Sequence, residues 1–150
     1  ISRLIGRSLR SVVDVSQLGE RTIFVDCDVL QADGGTRVAS VTAASLALFA
    51  AESKWLKAGL ITSKIVKEPV AALSVGVLNG QVLLDLSQAE DNEADADFNF
   101  IMTRSGKIVE IQGTSEKVPL SWENFAQVKK YALEGVAQLF NISEQAASSQ

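Results

Sequence analysis

Hydrophobic positions along this chain alternate between a period of two and helical spacing, and these patterns predict a series of strands and helices. The first predicted strand, Thr22 to Leu30, places Ile23, Val25, Cys27 and Val29 on one face, where Cys27 is expected to be a small core residue. The other predicted strands cover residues 71–78, 81–86, 97–103 and 107–112, and the predicted helices cover residues 1–13, 38–57 and 122–140. This order predicts an α/β (α+β) fold of the βαβα kind, with helices packed against a mixed sheet.

A glycine pair joins the first predicted strand to the long helix that follows it. The stretch reads Asp33-Gly34-Gly35-Thr36-Arg37, and glycine permits the positive φ that a sharp turn needs. The first amides of the helix then point outward in its positive field, beside a hydroxyl and a guanidinium, which describes a phosphate-sized anion site. The alternative is an ordinary turn with Thr36 as N-cap and Arg37 in solvent, and spacing alone does not separate the two.

Two hairpins are predicted in the second half of the chain. Asn79-Gly80 is the strongest short hairpin signal, and Arg104-Ser105-Gly106 joins the second pair of strands. Ser121 is suited to cap the final helix. The small polar residues that end the sequence predict a frayed tail, so one domain is expected over residues 1–143 and a C-terminal tail over residues 144–150.

Composition narrows the class of protein and its chemistry. A chain of 150 residues with 47% hydrophobic content can bury the core of one domain, and its single cysteine fits a reducing compartment. No apolar run is long enough to span a bilayer, so a cytoplasmic protein with no membrane partner is expected. The sequence has no histidine, so any metal is expected to be a hard cation bound through oxygen.

An acidic stretch lies between the two hairpins. It holds six carboxylates and no basic residue: Asp85, Glu90, Asp91, Glu93, Asp95 and Asp97. Their repulsion needs water, arginines or a cation to offset it. The strand that follows can fix one or two of Asp91, Asp95 and Asp97 as Mg²⁺ ligands, whereas the alternative is a solvated acidic loop, which composition alone favours slightly.

An arginine row marks the first predicted helix. Arg3, Arg7 and Arg10 fall on the side opposite its apolar positions. Contact with a polyanion is one interpretation, and a solvated face or a subunit contact is the other and commoner one; the net charge of −4 disfavours only broad attraction to nucleic acid. The helical pattern is present from Ile1, with no methionine or capping residue before it, so the chain is expected to be a fragment.

Several strings of residues carry a family resemblance over nearly the whole chain. The most specific runs from Val25 to Arg37 (VDCDVLQADGGTR). The others are residues 3–10 (RLIGRSLR), 18–22 (LGERT), 74–76 (SVG), 83–86 (LLDL), 90–91 (ED) with Asp97 and Asn99, 102–103 (MT) and 110–114 (EIQGT). With these strings the chain resembles the ribonuclease PH family of phosphate-dependent 3′-exoribonucleases, and it resembles exosome subunits and polynucleotide phosphorylase less closely.

The resemblance implies a fold and a role for particular residues. The fold would be the ribonuclease PH and ribosomal protein S5 domain 2-like βαβα fold, truncated at its N-terminus, since family members carry further strands and a second phosphate-binding arginine there. Gly35, Thr36 and Arg37 match the family's inorganic-phosphate site. Asp91 and Asp97 match its paired metal-binding, catalytic aspartates, which reverses the slight preference for a solvated loop.

The same resemblance implies a function. It is phosphorolytic 3′-to-5′ removal of nucleotides from transfer-RNA precursors as nucleoside diphosphates, with Mg²⁺ as cofactor and inorganic phosphate as co-substrate. Arg37, Asp91 and Asp97 would be catalytic. If the arginine row does contact a polyanion, RNA is the polyanion that Arg3, Arg7 and Arg10 would bind. The family assembles as a hexameric ring, a trimer of dimers, so a homo-oligomer is implied. The alternative is a weakly active or inactive remnant that oligomerises or binds RNA or another anion.

Overall fold

The structure, a computed structural model that describes residues 1–148, places helices on both faces of one antiparallel sheet. The helices are α1 (Ser2–Val12), α2 (Thr36–Lys57), α3 (Gln88–Glu93) and α4 (Trp122–Ser148), with a 3-10 turn at Val15–Leu18. The strands are β1 (Val70–Leu78), β2 (Gln81–Leu84), β3 (Ala96–Thr103) and β4 (Ile108–Ser115), in the spatial order β2-β1-β3-β4. The predicted α+β class is confirmed, but the sheet described is antiparallel throughout, so the expectation of a mixed sheet is wrong.

The first predicted strand is absent from this sheet. Residues 21–32 form no strand, and they pair with no strand of the described part of the chain. Alternating side chains suit a strand, but a strand also needs a neighbour for its backbone N–H and C=O groups. Phe24 is 85% exposed, Leu30 is 94% exposed and Cys27 is exposed, so the prediction that Cys27 lies in the core is wrong.

The sheet separates two apolar clusters. Alternate residues of β1 point to opposite faces, as a period of two requires. One face packs against α4 through residues such as Leu73, Val75, Phe100, Val128 and Val136. The other face packs against α1 and α2 through residues such as Leu9, Val41, Val70, Ala72 and Ile101. The protein therefore has an apolar core on each face of a single sheet.

The face that packs against α1 and α2 becomes polar toward one end of the sheet. The Ala72 N–H donates to Thr42 Oγ1 at 2.9 Å, which fixes α2 beside β1. The next position on that face, Ser74, lies opposite Asn99, and Gly76 lies opposite Asp97. Since α2 begins six residues before Thr42, its N-terminus comes to lie over this polar end of the sheet.

The remaining predicted elements can be compared directly with the structure. The Asn79-Gly80 turn has positive φ at both positions (50° and 75°), as a tight hairpin turn requires. Helix α4 continues to Ser148, beyond the predicted end at residue 140, and Arg104 forms an ion pair with Glu144. Residues 149 and 150 of the predicted tail lie outside the described residues. Of the helices described, none combines the length and the apolar character needed to cross a bilayer.

Candidate functional site

The turn that contains Gly34 and Gly35, called the glycine turn below, sets the start of α2. Gly35 is its N-cap, in the left-handed region with φ 72°, and no side chain caps the helix. The Thr36 hydroxyl instead donates to the Asp33 carbonyl oxygen at 3.0 Å, so the alternative in which Thr36 is the N-cap is wrong. Amides at an uncapped helix start are a favourable environment for an anion.

The turn is held against the start of α3. A Cβ on Gly34 would lie 1.9 Å from the Leu86 carbonyl oxygen, so the two backbones approach too closely for any side chain. The Asp33 carboxylate accepts the Gly34 N–H at 2.8 Å and the Gln88 N–H, at the beginning of α3, at 2.7 Å. Asp33 therefore ties the glycine turn to the helix that carries Asp91.

Helix α3 lies within the acidic stretch, where the sequence analysis predicted no helix. Ser87 is its N-cap, and Ser87 and Glu90 form a reciprocal capping box in which the Ser87 N–H donates to Glu90 Oε2 at 2.8 Å. The pattern Ser-x-x-Glu is the sequence signal for this cap. It was present in the sequence and could have located the helix.

A pocket of about 230 Å³ lies where the glycine turn, α3 and the sheet meet. Its lining consists of polar and charged residues with one glycine: Asp33, Gly35, Thr36, Arg37, Ser74, Gln88, Asp91, Asp97 and Asn99. The residues matched to the phosphate site and those matched to the aspartate pair, which are more than fifty positions apart in sequence, therefore line one pocket.

The charges in this pocket act on one another. Burial raises the pKa of Asp97 above its ordinary value, and the negative charges of Asp91 and Glu116 raise it further, while Arg37 opposes the shift. A carboxylate in such a position is stabilised by a nearby cation. The carboxylate oxygens of Asp91 and Asp97 are hard ligands, which fit Mg²⁺. Within residues 1–148, however, no group of three or more carboxylate, histidine or cysteine side chains converges on a metal position. A bound Mg²⁺ would therefore keep ligands from water or from substrate phosphates.

The arginine row lies away from this pocket. Arg7 forms a two-pronged ion pair with Glu110 of β4, with its terminal nitrogen 2.7 Å from Oε1 and its Nε 3.2 Å from Oε2. The Arg10 guanidinium lies over Gly6, where a Cβ would be 3.3 Å from it. None of Arg3, Arg7 and Arg10 is among the residues that line the pocket, so RNA contact by these side chains stays a prediction.

Sequence reasoning assigned no role to four polar residues that line the pocket. Asp33 was noted in the glycine turn and in a matching string, Ser74 was noted in a matching string, and Gln88 was not noted at all. Asn99 was quoted in the resemblance without a role. Asn99 could have been found from its spacing, because positions i and i+2 of a strand share a face and Asp97 was already a candidate.

Comparison with known proteins shows the family to which this chain belongs. The model of the 3′ exoribonuclease family, domain 1, matches residues 1–54, and that of domain 2 matches residues 68–135. The chain belongs to the 3′ exoribonuclease family. The resemblance predicted from the sequence strings is thereby confirmed.

The family relatives are longer than this chain. Proteins named ribonuclease PH from Neisseria meningitidis serogroups A, B and C are each 50% identical to it over 149 residues, which is 99% of this chain and 62% of the relative. A crystal structure of rice (Oryza sativa) Rrp46 matches with a TM-score of 0.66 at 17% identity, over 96% of this chain and 62% of that one. The rice structure supports the fold.

Asp33→Asn is expected to reduce the acid sensitivity of the folded protein. Hydrogen bonds from the backbone N–H groups of Gln88 and Gly34 lower the pKa of Asp33. A carboxyl with a lowered pKa adds stability that is fully present above its ordinary value, about 4, and is lost as the pH falls through the lowered value. The free energy of unfolding of the parent, measured in urea at pH 6 and pH 3, should therefore fall more on acidification than that of Asp33→Asn.

Asp26→Asn provides the control for this comparison. It removes the same charge from the exposed segment that forms no strand. An acid response of Asp33→Asn identical to those of the parent and Asp26→Asn would contradict the tie between the glycine turn and α3.

Proposed function

We propose that this chain carries the catalytic pocket of a phosphorolytic 3′-to-5′ exoribonuclease that shortens transfer-RNA precursors. The observation that carries the proposal is the placement of an uncapped helix start and Arg37 in the same pocket as Asp91 and Asp97. One side of the pocket suits a phosphate anion, and the other suits a divalent cation. Phosphoryl transfer depends on positioning and charge neutralisation, so it needs no histidine and no protein nucleophile.

The mechanism begins with inorganic phosphate bound by the first amides of α2 and by Arg37. An oxygen of this phosphate attacks the phosphorus of the last phosphodiester of the RNA. The bond from that phosphorus to the 3′-oxygen of the preceding nucleotide breaks. The 3′-oxygen then takes a proton from the carboxyl group of Asp91 or Asp97, or from a water molecule beside them. The products are a nucleoside diphosphate and an RNA shortened by one nucleotide.

Arg37 also offsets the charge that phosphate brings into an acidic pocket, because it already opposes the rise in the pKa of Asp97. Asp91 and Asp97 would hold Mg²⁺, which supplies further neutralisation of the phosphoryl oxygens when bound. The proposed partners are the 3′ ends of transfer RNA, inorganic phosphate and further copies of the chain in a hexameric ring, and the proposed location is the cytoplasm.

Arg37→Ala is expected to lower phosphorolysis by about a hundredfold, because a charge-assisted contact to the attacking phosphate is lost. The assay supplies ³²P-labelled orthophosphate, Mg²⁺ and a short RNA, and it measures label in nucleoside diphosphate. Hydrolysis by a contaminating nuclease gives unlabelled monophosphate instead, so the two reactions separate.

Lys54→Ala is the matched control, since it removes a positive charge from the exposed far end of α2. It should leave the labelled product unchanged. Labelled product that Arg37→Ala does not reduce would contradict the proposed site. A folded protein that binds phosphate and forms no labelled product would instead be a module that binds anions without turnover, which is the alternative function.

A further inference from the structure

Ser74 has a buried hydroxyl without a hydrogen-bond partner. The residue is 7% exposed, and its Oγ is the one buried side-chain polar atom in residues 1–146 for which the structure shows no partner. Other buried serines do have one: Ser8 Oγ donates to the Leu4 carbonyl at 2.8 Å, and Ser45 Oγ accepts the Val70 N–H at 3.0 Å. An unsatisfied buried hydroxyl is costly, so its retention requires a reason.

The hydroxyl is directed toward the pocket near the glycine turn. Ser74 lines the pocket, and it lies opposite Asn99 on the sheet face that carries Asp97. A Cβ on Gly35 would come within 3.6 Å of Ser74 Oγ. Because Gly35 has no side chain, no Cβ occupies the position beside this hydroxyl at the start of α2.

Ser74 is also the hydroxyl in the pocket whose proton is free. The Thr36 hydroxyl, the other one among the lining residues, donates to the Asp33 carbonyl, which can only accept. A tetrahedral anion at the helix start presents oxygens in several directions, and the α2 amides and Arg37 supply donors from the helix side. On the sheet side, the Ser74 hydroxyl is a donor that no protein group already occupies.

We propose that Ser74 Oγ donates a hydrogen bond to the inorganic phosphate bound at the start of α2, which makes Ser74 a phosphate-binding residue. This inference depends on the proposed function for the identity of the anion. The competing partner within the protein is Asp85, whose Oδ1 lies 3.5 Å from the same Gly35 Cβ position. If the Ser74 hydroxyl donated to Asp85 instead, it would stabilise the fold, and its removal would not alter the affinity for phosphate.

The test compares phosphate binding and stability in Ser74→Ala. Titration calorimetry with inorganic phosphate should show a Kd raised about tenfold, as for loss of a hydrogen bond to a charged group. The Tm without phosphate should be unchanged or higher, because the substitution removes an unsatisfied polar group. In the phosphorolysis assay, the KM for phosphate should rise while the KM for RNA stays constant.

Ser8→Ala is the matched control, since it removes another buried hydroxyl, which is hydrogen-bonded and lies outside the pocket. It should lower the Tm and leave the phosphate Kd unchanged. A Ser74→Ala variant that keeps the parent's phosphate Kd, whether or not its Tm falls as in Ser8→Ala, would overturn the inference and leave the proposed function intact. A parent that binds phosphate through Ser74 and forms no nucleoside diphosphate would overturn the proposed function and leave this inference standing.

Discussion

Gly34→Ala is expected to destabilise the protein by about 3 kcal/mol and to reduce nucleoside diphosphate release to background. The added Cβ would lie 1.9 Å from the Leu86 carbonyl oxygen and 2.8 Å from the Ser87 carbonyl carbon. These are backbone atoms, so the clash is relieved only if the glycine turn moves away from α3. That movement breaks the hydrogen bond from Gln88 to Asp33 and separates the start of α2 from Asp91. Urea unfolding and the labelled-phosphate assay measure the two effects.

Gly59→Ala separates this clash from the general cost of replacing glycine. Gly59 follows α2 with φ 67°, and a Cβ there would meet nothing within 4 Å. Its cost of about 1 kcal/mol comes from backbone conformation alone, and activity should be kept. Gly34 shows no positive φ, so its cost must come from contact. Equal, small losses in the two variants would contradict the close approach between the turn and α3.

The elements that the sequence predicted well have local causes. The hairpin at Asn79-Gly80 depends on two residues that accept positive φ, and α2 depends on a long run without proline or glycine. The segment 22–30 failed because its pattern describes side chains alone, whereas a strand also requires a neighbouring backbone. The end of α4 was misplaced because the small polar residues after residue 143 suit a helix terminus as well as a coil.

The candidate site was predictable in its residues but not in its distances. Arg37, Asp91 and Asp97 were found from the glycine turn, the acidic stretch and the family strings. The contact that unites them is made by Asp33, Gly34 and the backbone at Leu86 and Gln88, and no short-range pattern indicates such a contact. Ser74 was equally out of reach, because a serine inside an apolar strand becomes informative only when its hydroxyl is seen to lack a partner.

Asp97→Asn is expected to lower phosphorolysis by a factor on the order of a hundred to a thousand, since a charged group that serves the transferring phosphoryl is removed. The fold should not suffer. Burial and the charges of Asp91 and Glu116 raise the pKa of Asp97, so its charged form is less favourable in the folded protein than in the unfolded chain. The contribution of Asp97 to stability therefore declines as the pH rises from the ordinary pKa of an aspartate toward the raised pKa of Asp97 in the folded protein. The Asp97→Asn variant does not titrate and shows no such decline.

Thermal unfolding without Mg²⁺ at pH 4 and pH 7, together with the labelled-phosphate assay, tests both parts of this prediction. Glu93→Gln is the control, because it removes one negative charge from the exposed surface of α3, where Glu93 lies 3.8 Å from Lys117. The control should keep its activity. Asp97→Asn should lose activity while its Tm at pH 7 equals or exceeds that of the parent. An Asp97→Asn variant with both a lower Tm and a lower activity would show that Asp97 supports the fold. If the role of Asp97 is only catalytic, removal of its repelled, partly buried charge should not destabilise the pocket.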